Sequence, residues 1–233
     1  MTDAAAINST LQVLCCSESL VLDHRKCVYW PKRKVLMLAD VHLGKEAVFQ
    51  RRGMAIPDGA AQGSIERIRQ LLTEYEVQQL LILGDLVHAL PGGSESWITQ
   101  FHNLTEQFKE TRFVVVTGNH DKPGTPVYFP DSIHWTDRLT QPPFAFSHEP
   151  AVSGQTQNEP SYTICGHLHP CYRIGLRKGP SIRLPVFWFG QRQFVLPAFG
   201  EFTGMMLIKP QAKDRCFGVG PDGIVELTTG KAT

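Results

Sequence analysis

The sequence lacks long hydrophobic runs, paired-cysteine motifs and an excess of charge of either sign. No run approaches the ~20 consecutive apolar residues of a membrane span, so we expect no membrane partner. The six cysteines form no CxxC pair, which argues against a structural zinc ribbon or a disulfide scaffold. A balance of 23 basic against 22 acidic residues excludes a polybasic protein that binds nucleic acid by charge alone, but it leaves room for a local basic cleft.

What remains is the composition of an ordinary globular protein. Hydrophobic residues make up 42% and charged residues 19% of the 233 residues, which excludes highly charged disorder. A chain of this length buries a full core without cross-links, and we predict one domain over residues 1–233. The first twenty residues contain Asp3 and Glu18 and no signal-peptide run, so we expect a cytoplasmic protein with reduced thiols.

Apolar runs and helical periodicity predict an α/β fold. In the first half, predicted strands alternate with helices, which is the order of parallel βαβ units. These strands cover residues 11–16, 19–22, 27–30, 35–39, 80–83 and 113–116, and the helices cover 65–75 and 97–108. Strands without an intervening helix follow at residues 144–147, 161–165, 184–189, 193–196 and 205–208. We therefore expect a mixed sheet that ends in antiparallel strands, with the last strands falling within residues 184–228.

Residues that bind metals or transfer protons stand where five of these runs end. They are Asp40 and His42, Asp85, the consecutive residues Asn119, His120 and Asp121, then His148, and finally His167 and His169. Ligand sites of α/β proteins lie at the carboxyl ends of the strands. In an extended backbone, residues two apart face the same side, so each pair with that spacing would converge on one point.

Each of these residues alone has a plainer interpretation, since a single His or Asp after a strand is usually a surface, turn or capping residue. For that interpretation to be right for all of them, it would have to hold independently at five strand ends. We therefore favour a single shared site. Mixed imidazole and carboxylate donors suit Mn, Fe, Zn or Ni better than Mg or Ca. One ion cannot use so many donors, whereas two ions ~3.5–4 Å apart can share them. The pattern predicts a site for two divalent transition metals, with Mn²⁺ as the first candidate.

The ordered motifs resemble those of the calcineurin-like metallophosphoesterases over residues 35–170. They are DxH at 40–42, GD at 84–85, GNHD at 118–121, His148 and GHxH at 166–169; Ser147 stands where many members have Gly. A narrower resemblance, to the bacterial ligase-associated DNA-damage-response endonuclease subfamily, rests on residues 38–45, 49–57, 84–88 and 196–204. The family resemblance implies a phosphoester hydrolase built as a sandwich of two mixed β-sheets flanked by helices. The subfamily resemblance implies a DNA-repair nuclease with a ligase or helicase as partner protein.

The family resemblance also implies a role for each residue. Asp40, His42 and His169 would hold one metal, Asn119, His148 and His167 would hold the other, and Asp85 would bridge the two. A hydroxide between the metals would attack the phosphodiester, with His120 as general acid or as a hydrogen-bond donor to the phosphate. Asp121 would hydrogen-bond the His120 ring and set its tautomer.

Basic residues near the first motif are candidates for holding further phosphates. Lys45, Arg51 and Arg52 follow that motif, and residues 170–200 contain no acid. The alternative is an ordinary solvated edge. We assign the aromatic residues 187–189 to the core rather than to a base-stacking platform, and His88 to a structural role beside Asp85.

Two other functions stay open at this point. One is a phosphodiesterase or phosphatase acting on small nucleotides, and the other is a non-catalytic scaffold of the same fold. Retention of every implied metal ligand and of His120 argues against the scaffold. The sequence does not choose between DNA, RNA and small nucleotides, and it decides neither the native metal nor the oligomeric state.

Overall fold

The computed structural model describes residues 8–92, 95–150, 162–175 and 181–227. Within these ranges, the first sheet has seven strands that neighbour one another in chain order. They are β1 (Thr10–Cys15), β2 (Glu18–Asp23), β3 (Cys27–Trp30), β4 (Val35–Leu38), β5 (Gln79–Leu83), β6 (Arg112–Val116) and β7 (His134–Thr136). Strands β1 to β4 are antiparallel neighbours, whereas β4 to β7 are parallel.

Helices cover one face of the first sheet. Helices α1 (Lys45–Arg51) and α2 (Ala60–Glu74) connect β4 to β5, and α3 (Ser96–Gln107) connects β5 to β6. The apolar residues that give α2 and α3 their periodicity are buried against the sheet: Ile65, Ile68, Leu71, Leu72, Trp97, Phe101 and Leu104. This confirms the predicted βαβ order and leaves the opposite face of the sheet for a second apolar layer.

A second mixed sheet packs on that opposite face. In the described part of the chain it has nine strands: β8 (Leu139–Gln141), β9 (Phe144–Phe146), β10 (Tyr162–Cys165), β11 (Pro170–Ile174), β12 (Ile182–Phe189), β13 (Gln193–Val195), β14 (Met206–Leu207), β15 (Arg215–Val219) and β16 (Ile224–Leu227). Strands β9, β10 and β13 are parallel, whereas β12 runs antiparallel to β11, β13 and β15. The α/β sandwich of two mixed sheets flanked by helices is thereby confirmed.

Aromatic side chains fill the layer between the two sheets. Trp30 of the first sheet meets Phe144 of the second edge-on, with ring centroids 5.1 Å apart. Phe189 stacks on Phe194 at 3.8 Å, and Phe187 is fully buried. Each such side chain contributes about 1.5–3 kcal/mol by burial, so this layer holds the sheets together. Trp188, predicted as core with its neighbours, is only partly buried on the other face of its strand.

Several elements have no counterpart in the sequence prediction. They are α1, β7, β8, β11, β15 and β16. Residue 161, the first of the predicted strand 161–165, lies outside the described residues. None of the helices in the described ranges is long and apolar enough to cross a membrane.

Candidate metal centre

Loops that follow five strands meet at one edge of the sandwich. Those after β4, β5 and β6 leave the first sheet, and those after β9 and β10 leave the second. The loops are hydrogen-bonded to one another: the Asp40 amide donates to the carbonyl of Gly84, and the Gly166 amide donates to the carbonyl of His148. The polar residues predicted at these strand ends are thus held side by side.

The backbone at the centre is not extended, which corrects the geometry that we expected from sequence. Five of the site residues have left-handed φ angles: Asp40 (+55°), His42 (+51°), Asp85 (+51°), His167 (+69°) and His169 (+46°). Such angles are uncommon outside glycine and persist where surrounding contacts hold them. The paired residues do converge, but they do so through sharp turns instead of strand alternation.

One group of donors is formed by Asp40, His42 and His169. The Nε2 atom of His169 lies 3.4 Å from Nε2 of His42 and 3.4 Å from a carboxylate oxygen of Asp40. Asp40 is fully buried and also accepts the His167 amide at 3.0–3.1 Å. One atom from each of the three residues lies within 4.8 Å of the others, which is close enough for a single cation to contact them all.

A second group is formed by Asn119, His148 and His167. The Oδ1 atom of Asn119 lies 2.9 Å from Nε2 of His148 and 3.1 Å from Nδ1 of His167. The two ring nitrogens are themselves 3.0 Å apart. Asp85 lies between the two groups, because its Oδ2 is 3.5 Å from Nε2 of His148 and 3.8 Å from Nε2 of His42.

Backbone carbonyls fix which ring nitrogen of two histidines faces the centre. Nδ1 of His148 is 3.0 Å from the carbonyl of Leu83, and Nδ1 of His169 is 3.0 Å from the carbonyl of Gly204. A carbonyl only accepts, so each Nδ1 carries the proton and each Nε2 presents a lone pair to its neighbours. Metal-binding histidines are oriented in this way. The donor set therefore fits a pair of divalent cations.

Burial keeps a third imidazole in the neutral form. Loss of solvent, followed by repulsion from Lys45, lowers the pKa of His42 to about 2. At neutral pH the ring is then uncharged, and only the uncharged ring binds a metal. Its Nδ1 atom is buried without a hydrogen-bond partner among the described residues.

His120 and Asp121 lie beside the centre, but not in the expected relation. Nδ1 of His120 donates to the carbonyl of His88 at 2.7 Å, in place of the predicted bond to Asp121. The Asp121 carboxylate instead accepts the amides of Gly118, Leu86 and Val87 at 2.9–3.3 Å. It therefore ties the loop after β6 to the loop after β5.

His88 is the residue near the centre whose contacts sequence reasoning missed. Its ring stacks on that of His120, with centroids 4.7 Å apart and planes 22° from parallel. It also belongs to a third group of potential donors with His42 and His120. In the sequence, the indication was that His88 stands three residues after Asp85. That position fits a residue of the site and a structural residue equally well.

The predicted phosphate-binding residues lie on α1 or directly after it. Lys45 is the first residue of the helix and is 8% exposed. Burial lowers the pKa of Lys45, although the negative charges of Asp85 and Asp40 act to raise it. Lys45 thus borders the centre. Arg51 and Arg52 are exposed at the other end of the helix, and the charge of Arg52 reaches His88.

The chain is similar to known proteins in sequence and in fold. Residues 33–180 match the sequence profile of the Calcineurin-like phosphoesterase family. A solved nuclease from Pseudomonas putida, called MPE, is 32% identical, with a TM-score of 0.76, over 93% of this chain and all of that one. A protein of unknown function from Aquifex aeolicus is 19% identical over 62% of this chain and 81% of its own, with a TM-score of 0.40.

No curated protein sequence matched the chain. The family profile, however, spans more than half of the residues and includes every predicted metal donor. The MPE nuclease agrees with the narrower resemblance to a nuclease subfamily. The profile match and this structural match together show that the chain belongs to the calcineurin-like phosphoesterase family.

Proposed function

We propose that this protein is a nuclease that cleaves phosphodiester bonds with the help of two divalent metal ions. The observation that carries the proposal is the convergence of seven donors from five loops, among them two imidazole lone pairs aimed by backbone carbonyls. A chance surface cluster has no reason to fix its ring nitrogens in this way.

Each donor has a role in the proposal. Asp40, His42 and His169 would hold one metal, Asn119, His148 and His167 would hold the other, and Asp85 would be shared between them. Two ions in such a centre, when bound, activate water for attack on phosphorus and neutralise charge on the phosphate. Mixed imidazole and carboxylate donors favour a transition metal over Mg or Ca. We propose Mn²⁺ as the first candidate, with Fe, Zn or Ni as alternatives.

His120 is the proposed catalytic side chain. Because its Nδ1 proton is held by the carbonyl of His88, its Nε2 is the atom that carries or receives a proton at the substrate. As a general acid the ring reacts in its imidazolium form, in which Nε2 also carries a proton; it gives that proton to the leaving oxygen and is left neutral with its remaining proton on Nδ1. As a hydrogen-bond donor it keeps the Nε2 proton and donates it to a phosphate oxygen. Asp121 is a positioning residue, which holds the loop of Asp85 against the loop of Asn119. Lys45, Arg51 and Arg52 bind phosphates beyond the cleaved one.

The proposed substrate is a nucleic acid. The support is the likeness to the MPE nuclease and the subfamily resemblance. The resemblance also supports a role in DNA repair beside a ligase or helicase. We propose that this takes place in the cytoplasm. A small-nucleotide phosphodiesterase is the competing function.

The first test combines metal analysis with turnover. Purified wild-type protein should hold close to two transition-metal ions per chain and hydrolyse bis-p-nitrophenyl phosphate. H120A should retain both ions and lose about 10²–10⁴-fold in kcat, which is the range for a general acid. H134A is the matched control, because His134 is exposed on β7 at the edge of the first sheet.

Substrate choice is tested separately with single-stranded DNA, duplex DNA, RNA and cyclic nucleotides in the presence of Mn²⁺. Cleavage of a polynucleotide supports the nuclease, whereas activity confined to cyclic nucleotides supports the competing function. A folded wild-type protein that binds no metal would end the two-metal proposal, and an undiminished kcat in H120A would remove the role of His120.

A further inference from the structure

A cavity of about 250 Å³ opens directly beside the metal centre. His169 forms part of its wall, so a ligand that extends from the centre on this side enters the cavity. The other walls include Lys26, Pro185, Glu201, Phe202 and Met205. The volume is below the ~300–1,000 Å³ of pockets that enclose drug-sized ligands. The cavity therefore suits a small flat group such as one planar base.

The loop formed by residues 200–205, which we call the 200–205 loop, is built onto the centre at both ends. The Gly200 amide donates to the carbonyl of Asp40 at 3.0 Å, and a β-carbon on Gly200 would lie 2.2 Å from the carbonyl oxygen of Val41. At the other end, the Gly204 carbonyl accepts Nδ1 of His169. The loop thus orients His169 and faces the cavity at the same time.

Phe202, in the middle of this loop, has an unusual backbone conformation. Its φ is +54°, a left-handed angle that is a genuine outlier for a bulky residue. Its side chain is 45% exposed, so burial in a core does not explain the conformation. Strained residues with exposed side chains occur at ligand-binding positions.

The walls of the cavity match the chemistry of a nucleobase. Phe202 and Met205, which is 43% exposed, present apolar surface, and bases of every sequence stack on an aromatic face. Lys26, Glu201 and Thr203 supply donors and acceptors for the polar edge of a base. Phe187 and Phe189 cannot serve, since both are buried.

We propose that the 200–205 loop forms a subsite in which Phe202 stacks on the base next to the cleaved phosphodiester. This rests on the proposed nuclease function and deepens it, because a base inside a duplex is stacked on its neighbours on both faces and has no free face for Phe202. The substrate class is then single-stranded nucleic acid, or a duplex whose base is unstacked.

The turnover test uses dinucleotides, which contain a single phosphodiester. Thymidylyl-thymidine is compared with two analogues that lack the base on one side or the other. Wild type should cleave the complete dinucleotide with a kcat/KM about tenfold above that of one analogue. F202A and F202L should lose this preference and F202Y should keep it, because Tyr retains the aromatic face. L14A is the control, since Leu14 is 70% exposed on the edge strand β1.

A binding test decides the subsite independently of turnover. A dinucleotide that carries fluorescent 2-aminopurine is titrated with metal-loaded H120A and with the H120A/F202A double variant. Stacking on Phe202 should quench the fluorescence in the first protein and leave it largely unquenched in the second. Equal quenching, or an unchanged base preference in F202A, overturns the subsite. If wild type cleaves no phosphodiester at all, the proposed function fails, and the quenching still decides whether the base binds at Phe202.

Discussion

The ring of His148 occupies the space that a side chain on Gly84 would need. A β-carbon at Gly84 would lie 2.1 Å from Nδ1 of His148, and the φ of Gly84 is +82°. We predict that G84A displaces the His148 ring, breaks its bond to Leu83 and lowers the bound metal from about two ions to about one or none. Metal analysis of the folded variant measures this directly.

G53A is the control variant for backbone strain without a steric clash. Gly53 has nearly the same φ, +79°, but no atom within 4 Å of the added β-carbon. Both variants should lose the roughly 1–2 kcal/mol that a left-handed alanine costs, seen as a lower thermal midpoint. Only G84A should lose metal, and equal metal content in the two variants would show that the fit against His148 is unimportant.

Residue identity at the centre could be predicted from sequence, whereas residue conformation could not. Asp40 and His42 were visible because they follow an apolar run whose end marks the carboxyl edge of a sheet. Their left-handed φ angles depend on hydrogen bonds to Gly84 and Asp85, some 40 residues away in the chain. No local pattern encodes such long-range contacts.

At the scale of elements, a buried ionic network joins the turn between β2 and β3 to the end of α2. Asp23 is fully buried and accepts hydrogen bonds from Arg25 at 2.7–3.0 Å and from Tyr75 at 2.8 Å. Arg25 also pairs with Glu74. Burial favours a raised pKa for Asp23, but the bonds from Arg25 and Tyr75 outweigh it and hold the pKa below the ordinary value.

We predict that D23N lowers the free energy of unfolding by about 3 kcal/mol at pH 7, because a buried charge pair loses one partner. Since the pKa of Asp23 is lower in the folded state, its contribution is complete above pH ~4 and is lost as the pH falls through the folded value. Urea unfolding at pH 7 and pH 3 measures this. The difference in the free energy of unfolding between wild type and D23N should be smaller at pH 3 than at pH 7.

A second carboxylate provides the comparison for that experiment. Glu76 pairs with Lys34 but has a side chain that is 77% exposed. E76Q should cost at most ~1 kcal/mol at pH 7, which is usual for surface ion pairs. If D23N lowers the free energy of unfolding no more than E76Q does, the ionic network does not stabilise the packing of the turn against α2.

Elements with a long, unbroken apolar pattern were the ones that the sequence predicted, whereas β15 was missed although four of its five residues are buried. The β4 and β5 runs and the fifteen-residue α2 carry clear apolar patterns. Strands β7 and β8 have three residues each, and none of these residues is buried, so they leave no such pattern. Helix α1 has seven residues and begins after Gly44 without a side-chain cap, so its ends carry no sequence signal either.

At the scale of the whole molecule, the metal centre joins the two sheets. Four of the donors follow strands of the first sheet: Asp40, His42, Asp85 and Asn119. The other three, His148, His167 and His169, follow β9 and β10 of the second sheet. Since these donors assemble only in the folded chain, metal bound by them would add to folding stability.

We predict that Mn²⁺ at about 100 times its dissociation constant stabilises the protein by about 2.7 kcal/mol. For a chain of this size that corresponds to a rise of roughly 5–10 °C in the thermal midpoint. Calorimetry with added Mn²⁺ and with a chelator measures the shift. H167A should lose much of it, and H134A should behave as wild type.

The shape of the same transition tests the predicted single domain. If residues 1–233 form one domain whose sheets share a core, metal should move a single cooperative transition as a whole. Two transitions, of which metal moves only one, would divide the chain into independent units and contradict that prediction. An unmoved midpoint in a protein that does bind Mn²⁺ would instead show that the donors also hold metal when unfolded, because ligands stabilise the fold only by preferring it.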